Sequence, residues 1–66
     1  MTQAEVKAAL LKYPRSTALA LSINSGISRS VIDDAIARMK RNGTLRVVGK
    51  EVWQGGHRAD VYEVVA

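Results

Sequence analysis

Apolar residues recur at spacings of three and four along the first part of the chain and then give way to β-branched runs, which predicts helices followed by strands. Val6, Ala9, Leu10 and Tyr13 make the first apolar stripe. TQAE at its start reads as a capping box, in which Thr2 and Glu5 exchange side-chain and backbone hydrogen bonds, and Pro14 cannot continue a helix. Helix 1 is therefore predicted to span about ten residues and to end near Lys12 or Tyr13. Ala4, Ala8 and Leu11 form a second, weaker stripe that either widens the core face or offers a subunit contact. Ser16 is the predicted cap of a short second helix, TALALSIN, closed by Ser25 and Gly26. Ser28 is the predicted cap of a third helix running to about Arg41, with Ile32, Ala35, Ile36 and Met39 on one face and Asn42-Gly43 as its stop.

From Thr44 the pattern changes. TLRVVGKEVW and VYEVV read as two strands, and QGGHRAD between them as a glycine-centred turn, so the chain closes in a hairpin. Apolar residues of both parities near Gly49 predict a bulge or bend there. Trp53 and Tyr62 are expected to pack under the ribbon and anchor it, rather than to stack on bases, because the chain has no phenylalanine and few other large core residues. The expected fold class is α+β: three helices followed by a two-stranded β-hairpin, all within one domain.

This order of elements, together with LSINSGISRSVI and a following helix that ends RNGTL, resembles the winged helix-turn-helix family of DNA-binding domains. The likeness spans nearly the whole chain. It implies that Gly26 makes the turn, Ile27 plugs the interhelical core, Ser28 caps the recognition helix, Ile32 and Ile36 seat it, and the hairpin forms the wing. Two positions depart from the family pattern: Ser22 stands where alanine is usual, and Ser25 where a larger apolar residue is common. Both are small enough to fit.

Composition narrows the function. With 66 residues the chain can build only one modest core, so burial supplied by a second subunit, through helix 1 or the hairpin, is a live option. The absence of cysteine excludes disulfides and thiolate metal sites, and one histidine among scattered carboxylates gives no zinc site; no metal or other cofactor is expected. No apolar run approaches a membrane span and no targeting pattern opens the chain, so a cytoplasmic protein without membrane attachment is expected. The net charge of +4 favours an anionic partner, with double-stranded DNA first. Enzyme activity is not expected, because no phosphate-binding glycine loop or triad spacing is present.

A helix seated through Ile32, Ala35, Ile36 and Met39 turns Ser30, Asp34, Ala37 and Arg41 away from the core, with Arg29, Asp33 and Lys40 on one flank and Arg38 on the other. Arg29/Asp33 and Asp34/Arg38 are each four apart. They can be ion pairs on a solvated face, base readers in which Asp33 positions Arg29 for guanine and Asp34 accepts from cytosine, or a surface for a protein partner. On the hairpin, Arg46 and Lys50 lie on the first arm, and His57 and Arg58 at the tip are the favoured wing contacts to the minor groove. The expected DNA-contacting set is thus Ser28, Arg29, Ser30, Asp33, Asp34, Arg38, Lys40, Arg41, Arg46, His57 and Arg58. The competing function is an inhibitory or accessory winged helix that engages a protein and does not bind DNA by itself.

Overall fold

A computed structural model describes residues 3–65, and in it each apolar stripe becomes a helix. α1 (Gln3–Lys12) buries Val6, Ala9 and Leu10, while α2 (Ala18–Ser25) buries Ala18 and Leu21. α3 (Arg29–Asn42) buries Ile32, Ala35, Ile36 and Met39, the four positions its periodicity predicts. β1 (Leu45–Val52) and β2 (Arg58–Val64) pair antiparallel as a two-stranded sheet. The result is an α+β arrangement of three helices followed by a hairpin, the topology of a winged helix. No described helix is long and apolar enough to cross a membrane. The capping box expected at Thr2 lies outside the described residues.

One core serves all five elements. Ile27, in the turn between α2 and α3, and Leu45, at the start of β1, join the helical residues in it, and Tyr13, Val31, Tyr62 and Val64 pack around its rim. Ala4, Ala8 and Leu11 are exposed, so the second stripe of α1 does not widen the core.

The α2–α3 turn is held by two serines, Ser22 and Ser25. The Ser22 hydroxyl donates to Ile27 O (2.8 Å), and the Ser25 hydroxyl donates to Leu21 O (2.6 Å) while accepting from Ile27 N–H (3.2 Å). Both polar backbone groups of the buried Ile27 are thereby satisfied, which an alanine and an apolar residue could not do. Gly26, at φ 76°, takes the left-handed conformation that ends α2.

Two caps differ from expectation. Thr17, not Ser16, caps α2, its hydroxyl accepting from Ala20 N–H at 3.1 Å. Ser16 is committed elsewhere: its carbonyl accepts from Tyr62 N–H (3.0 Å), forming a one-residue bridge on the outer edge of β2, and its hydroxyl turns back to Tyr13 O. Arg15 at φ 57° makes the reversal that delivers Ser16 to the sheet. Ser28 occupies the cap position of α3 in its backbone (φ −62°, ψ 147°) but makes no capping hydrogen bond; its hydroxyl lies 3.5 Å from that of Ser30.

The hairpin carries the bulge expected near Gly49. Val47 pairs with Tyr62 and Gly49 with Val61, leaving Val48 as the extra residue. Its turn is shorter than the sequence suggests, and β2 starts at Arg58 instead of Val61. Gly55 and Gly56, at φ 86° and 81°, reverse the chain within residues 53–57, so Arg58, Ala59 and Asp60 already pair with Val52, Glu51 and Lys50.

Trp53 departs from the expectation: it lies just past the end of β1 and outside the core cluster. It is 40% exposed, its indole N–H donating to Glu51 at 3.3 Å, whereas Tyr62 does pack on the core as expected.

Ile32 is fully buried where α3 meets the other helices. Ile32→Ala is expected to destabilise the protein by ~2–5 kcal/mol, read as a lower urea midpoint with an unchanged m-value.

Candidate nucleic-acid interface

α3 presents to solvent the face opposite its core stripe: Ser30, Asp34, Ala37 and Arg41 are all exposed. Its charged flanks are partly self-neutralised. Arg29 Nε lies 3.1 Å from Asp33 Oδ1 and donates to it, and Arg38 Nη2 lies 3.5 Å from Asp34 Oδ2. These are the two pairs expected four residues apart, and all four side chains are more than half exposed. Solvent-exposed pairs of this kind contribute only ~0.3–0.5 kcal/mol each, so they orient the guanidiniums more than they stabilise the helix. Lys40 and Arg41, in the last turn, have no ion-pair partner among the described residues and complement the negative end of the helix dipole.

The wing stands beside the Arg29–Asp33 flank. Between them lies a cleft of about 290 Å³ into which α2 contributes Leu19, α3 contributes Arg29 and Asp33, and the wing contributes Trp53, Arg58 and Asp60, with Tyr62 at its base. Arg58, distant in sequence from Arg29 and Asp33, is therefore brought beside them. Arg38 and Asp34 lie farther round α3, on the side away from the wing. A shallow depression over the helix, lined by Ser30, Asp34, Ala37 and Arg38, continues the surface there.

Not every expected contact joins this face. Arg46 pairs across the strands with Glu63, on the side of the sheet opposite Tyr62 and the core. Its Nη2 lies 3.5 Å from Glu63 Oε1, and Arg15 Nε lies 3.5 Å from Glu63 Oε2. Arg46 thus belongs to a small ion cluster that ties the ribbon to the α1–α2 connection. His57 is exposed in the wing turn, where its carbonyl accepts from Trp53 N–H (2.7 Å). Ser28 and Ser30 leave their hydroxyls exposed at the N-terminal end of α3.

Sequence reasoning overlooked Leu19, Trp53 and Asp60 as parts of this surface. Leu19 carries the one available signal: on α2 it falls four residues before Ile23 and off the stripe containing Ala18 and Leu21, and both are exposed. Asp60 is hidden by its assignment to the turn, and Trp53 by its assignment to packing under the ribbon.

Tyr62 senses these charges. Burial pushes its hydroxyl above the ordinary value of 10.0, the Asp60 and Asp33 carboxylates push the same way, and the Arg29 guanidinium opposes them. The folded state therefore favours the neutral phenol. That contribution to stability is fully present below pH 10.0 and is lost as pH rises through the higher folded-state value. In a Tyr13→Phe background, phenolate absorbance should report a Tyr62 midpoint above 10.0, and Tyr62→Phe should remove part of the alkaline fall in the urea midpoint.

The chain matches no protein-family model, no curated protein and no solved structure at a significant level.

Proposed function

We propose that the protein is a sequence-specific double-stranded DNA-binding protein of the winged helix-turn-helix type, acting in transcription regulation. The exposed outer side of α3, carrying Arg41, flanked by Arg29, Lys40 and Arg38 and set alongside a wing that carries Arg58, supports this most directly. In this function α3 enters the major groove, where Ser28 and Ser30 reach phosphates near its N-terminal end and the arginines reach base edges. His57 and Arg58 follow the backbone or the minor groove from the wing. Asp33 holds Arg29 in a defined direction, so the acidic residue serves base reading through its neighbour.

Asp34 has a different part. A carboxylate on the groove-facing side opposes phosphate attraction, by ~1 kcal/mol at close range in water-like dielectric. It lowers affinity for every sequence and is repaid only where a base amino group donates to it, so specificity rises as bulk affinity falls.

One such domain covers little DNA, and a homodimer reading two half-sites about one helical turn apart would supply the missing specificity. The exposed stripe of α1, with Leu11 at 61% exposure, is the surface proposed for that contact. A second reading, a module that engages a protein and leaves DNA alone, draws its support from the apolar outer face of α2, where Ile23 is 71% exposed.

Titration of duplex DNA at several salt concentrations separates the two. A DNA reader making about four phosphate contacts should lose log affinity with log salt at ~0.9 per contact, and Arg58→Ala should lower that slope by about one contact. No duplex binding at low salt would reject the function, and an unchanged slope in the variant would remove the wing from the interface. Asp34→Ala should strengthen binding to random duplex more than to the site selected from a random pool; equal strengthening of both would deny Asp34 a base-reading part.

A further inference from the structure

We infer that the cleft between α2, α3 and the wing seats one unpaired nucleobase, so that the protein prefers duplex DNA with an unpaired nucleotide beside the groove that α3 occupies. This rests on the DNA-binding function proposed above.

The cleft, at about 290 Å³, is at the lower end of the range for small-ligand sites. Two of its walls are apolar side chains left in solvent, Leu19 and Trp53 at 41% and 40% exposure. Its charges cancel, two guanidiniums (Arg29, Arg58) standing against two carboxylates (Asp33, Asp60). Arg29 and Asp33 satisfy each other, while Arg58 and Asp60 have no ion pair among the described residues.

The edge of β2 adds backbone groups. Tyr62 N–H donates to Ser16 O, away from β1, and on the other side Trp53 N–H donates to His57 O within the hairpin. Alternation along the strand then turns the amide and carbonyl of Asp60 away from β1, beyond the end of the Ser16 bridge and toward the cleft.

A phosphate is a poor occupant, because the charges cancel and two carboxylates face it. An extended peptide is held by a longer edge than this one, on which only Asp60 and Arg58 turn outward, over about 7 Å of strand. A nucleobase meets each feature. Its flat faces suit Leu19 and the indole, its amino groups donate to the Asp60 carboxylate or carbonyl, and its ring nitrogens and carbonyl oxygens accept from Arg58 or Asp60 N–H. Arg29 and Asp33 belong both to the cleft and to the helix proposed to hold the duplex, which sets the base next to that duplex.

Fluorescence anisotropy with three labelled probes tests this: a blunt duplex, the same duplex with a short single-stranded overhang at either end, and the overhang duplex made abasic at the unpaired positions. The overhang is expected to tighten binding by about tenfold, and both the abasic probe and Trp53→Ala to return it to the blunt value. The abasic comparison leaves the protein unaltered, so its result stands whatever the variant does to folding. Equal binding of blunt and overhang duplexes, or a preference that survives the abasic positions, overturns the base seat and leaves duplex binding intact. Failure to bind any of the probes overturns the DNA-binding function itself.

Discussion

α3 buries one side of itself and leaves the other in water, and the position of every candidate contact on that helix follows from that. Ile32, Ala35, Ile36 and Met39 sit in the only core the chain has room for, against Val6 and Leu10 of α1 and Leu21 of α2. At ~100° per residue, a helix held along that stripe has no freedom in which residues it shows to solvent. Ser30, Asp34, Ala37 and Arg41 are exposed because Ile32 and Ile36 are not. The α2–α3 turn makes the same seating rigid, since Ile27 is buried with both backbone groups bonded through Ser22 and Ser25. A small chain with few large apolar residues thus gains a defined angle between two helices from polar contacts as well as packing.

The second constraint lies in the sheet. One extra residue at Val48 changes which side of the wing each later residue of β1 faces, and it decides the character of the wing. Trp53, just beyond the end of β1, is 40% exposed beside a cleft shared with α2 and α3. The Ser16 bridge completes this geometry. It fastens the base of β2 to the α1–α2 connection, where Glu63 adds Arg15 and Arg46, and leaves the outer edge of β2 open only toward the tip.

Charge is distributed with the same economy. The chain carries a net +4, yet on α3 two of the four basic residues are held by carboxylates one turn away. Such a surface attracts a polyanion weakly at long range and asks for a matching arrangement of donors and acceptors at short range. The two adjacent aspartates on the outward side of α3 have that physical content: Asp33 directs Arg29 toward the wing side, and Asp34 directs Arg38 toward the other.

Local chemistry made much of this legible in the sequence. Helical periodicity set the seating of α3 and hence its exposed face, Pro14 and the left-handed glycines at 26 and 43 set where helices end, and mixed parity near Gly49 marked the bulge. The four-residue spacings announced both ion pairs. These depend on a residue and its neighbours within a turn or two, and a sequence states neighbours directly. Contacts between distant segments decided the rest: Ser16 lends its carbonyl to the edge of β2 while Thr17 caps α2, and Arg46 meets Glu63 on the side of the ribbon away from the core. Trp53 stands at the cleft instead of in the core, and its surroundings were settled only when α2, α3 and the wing met.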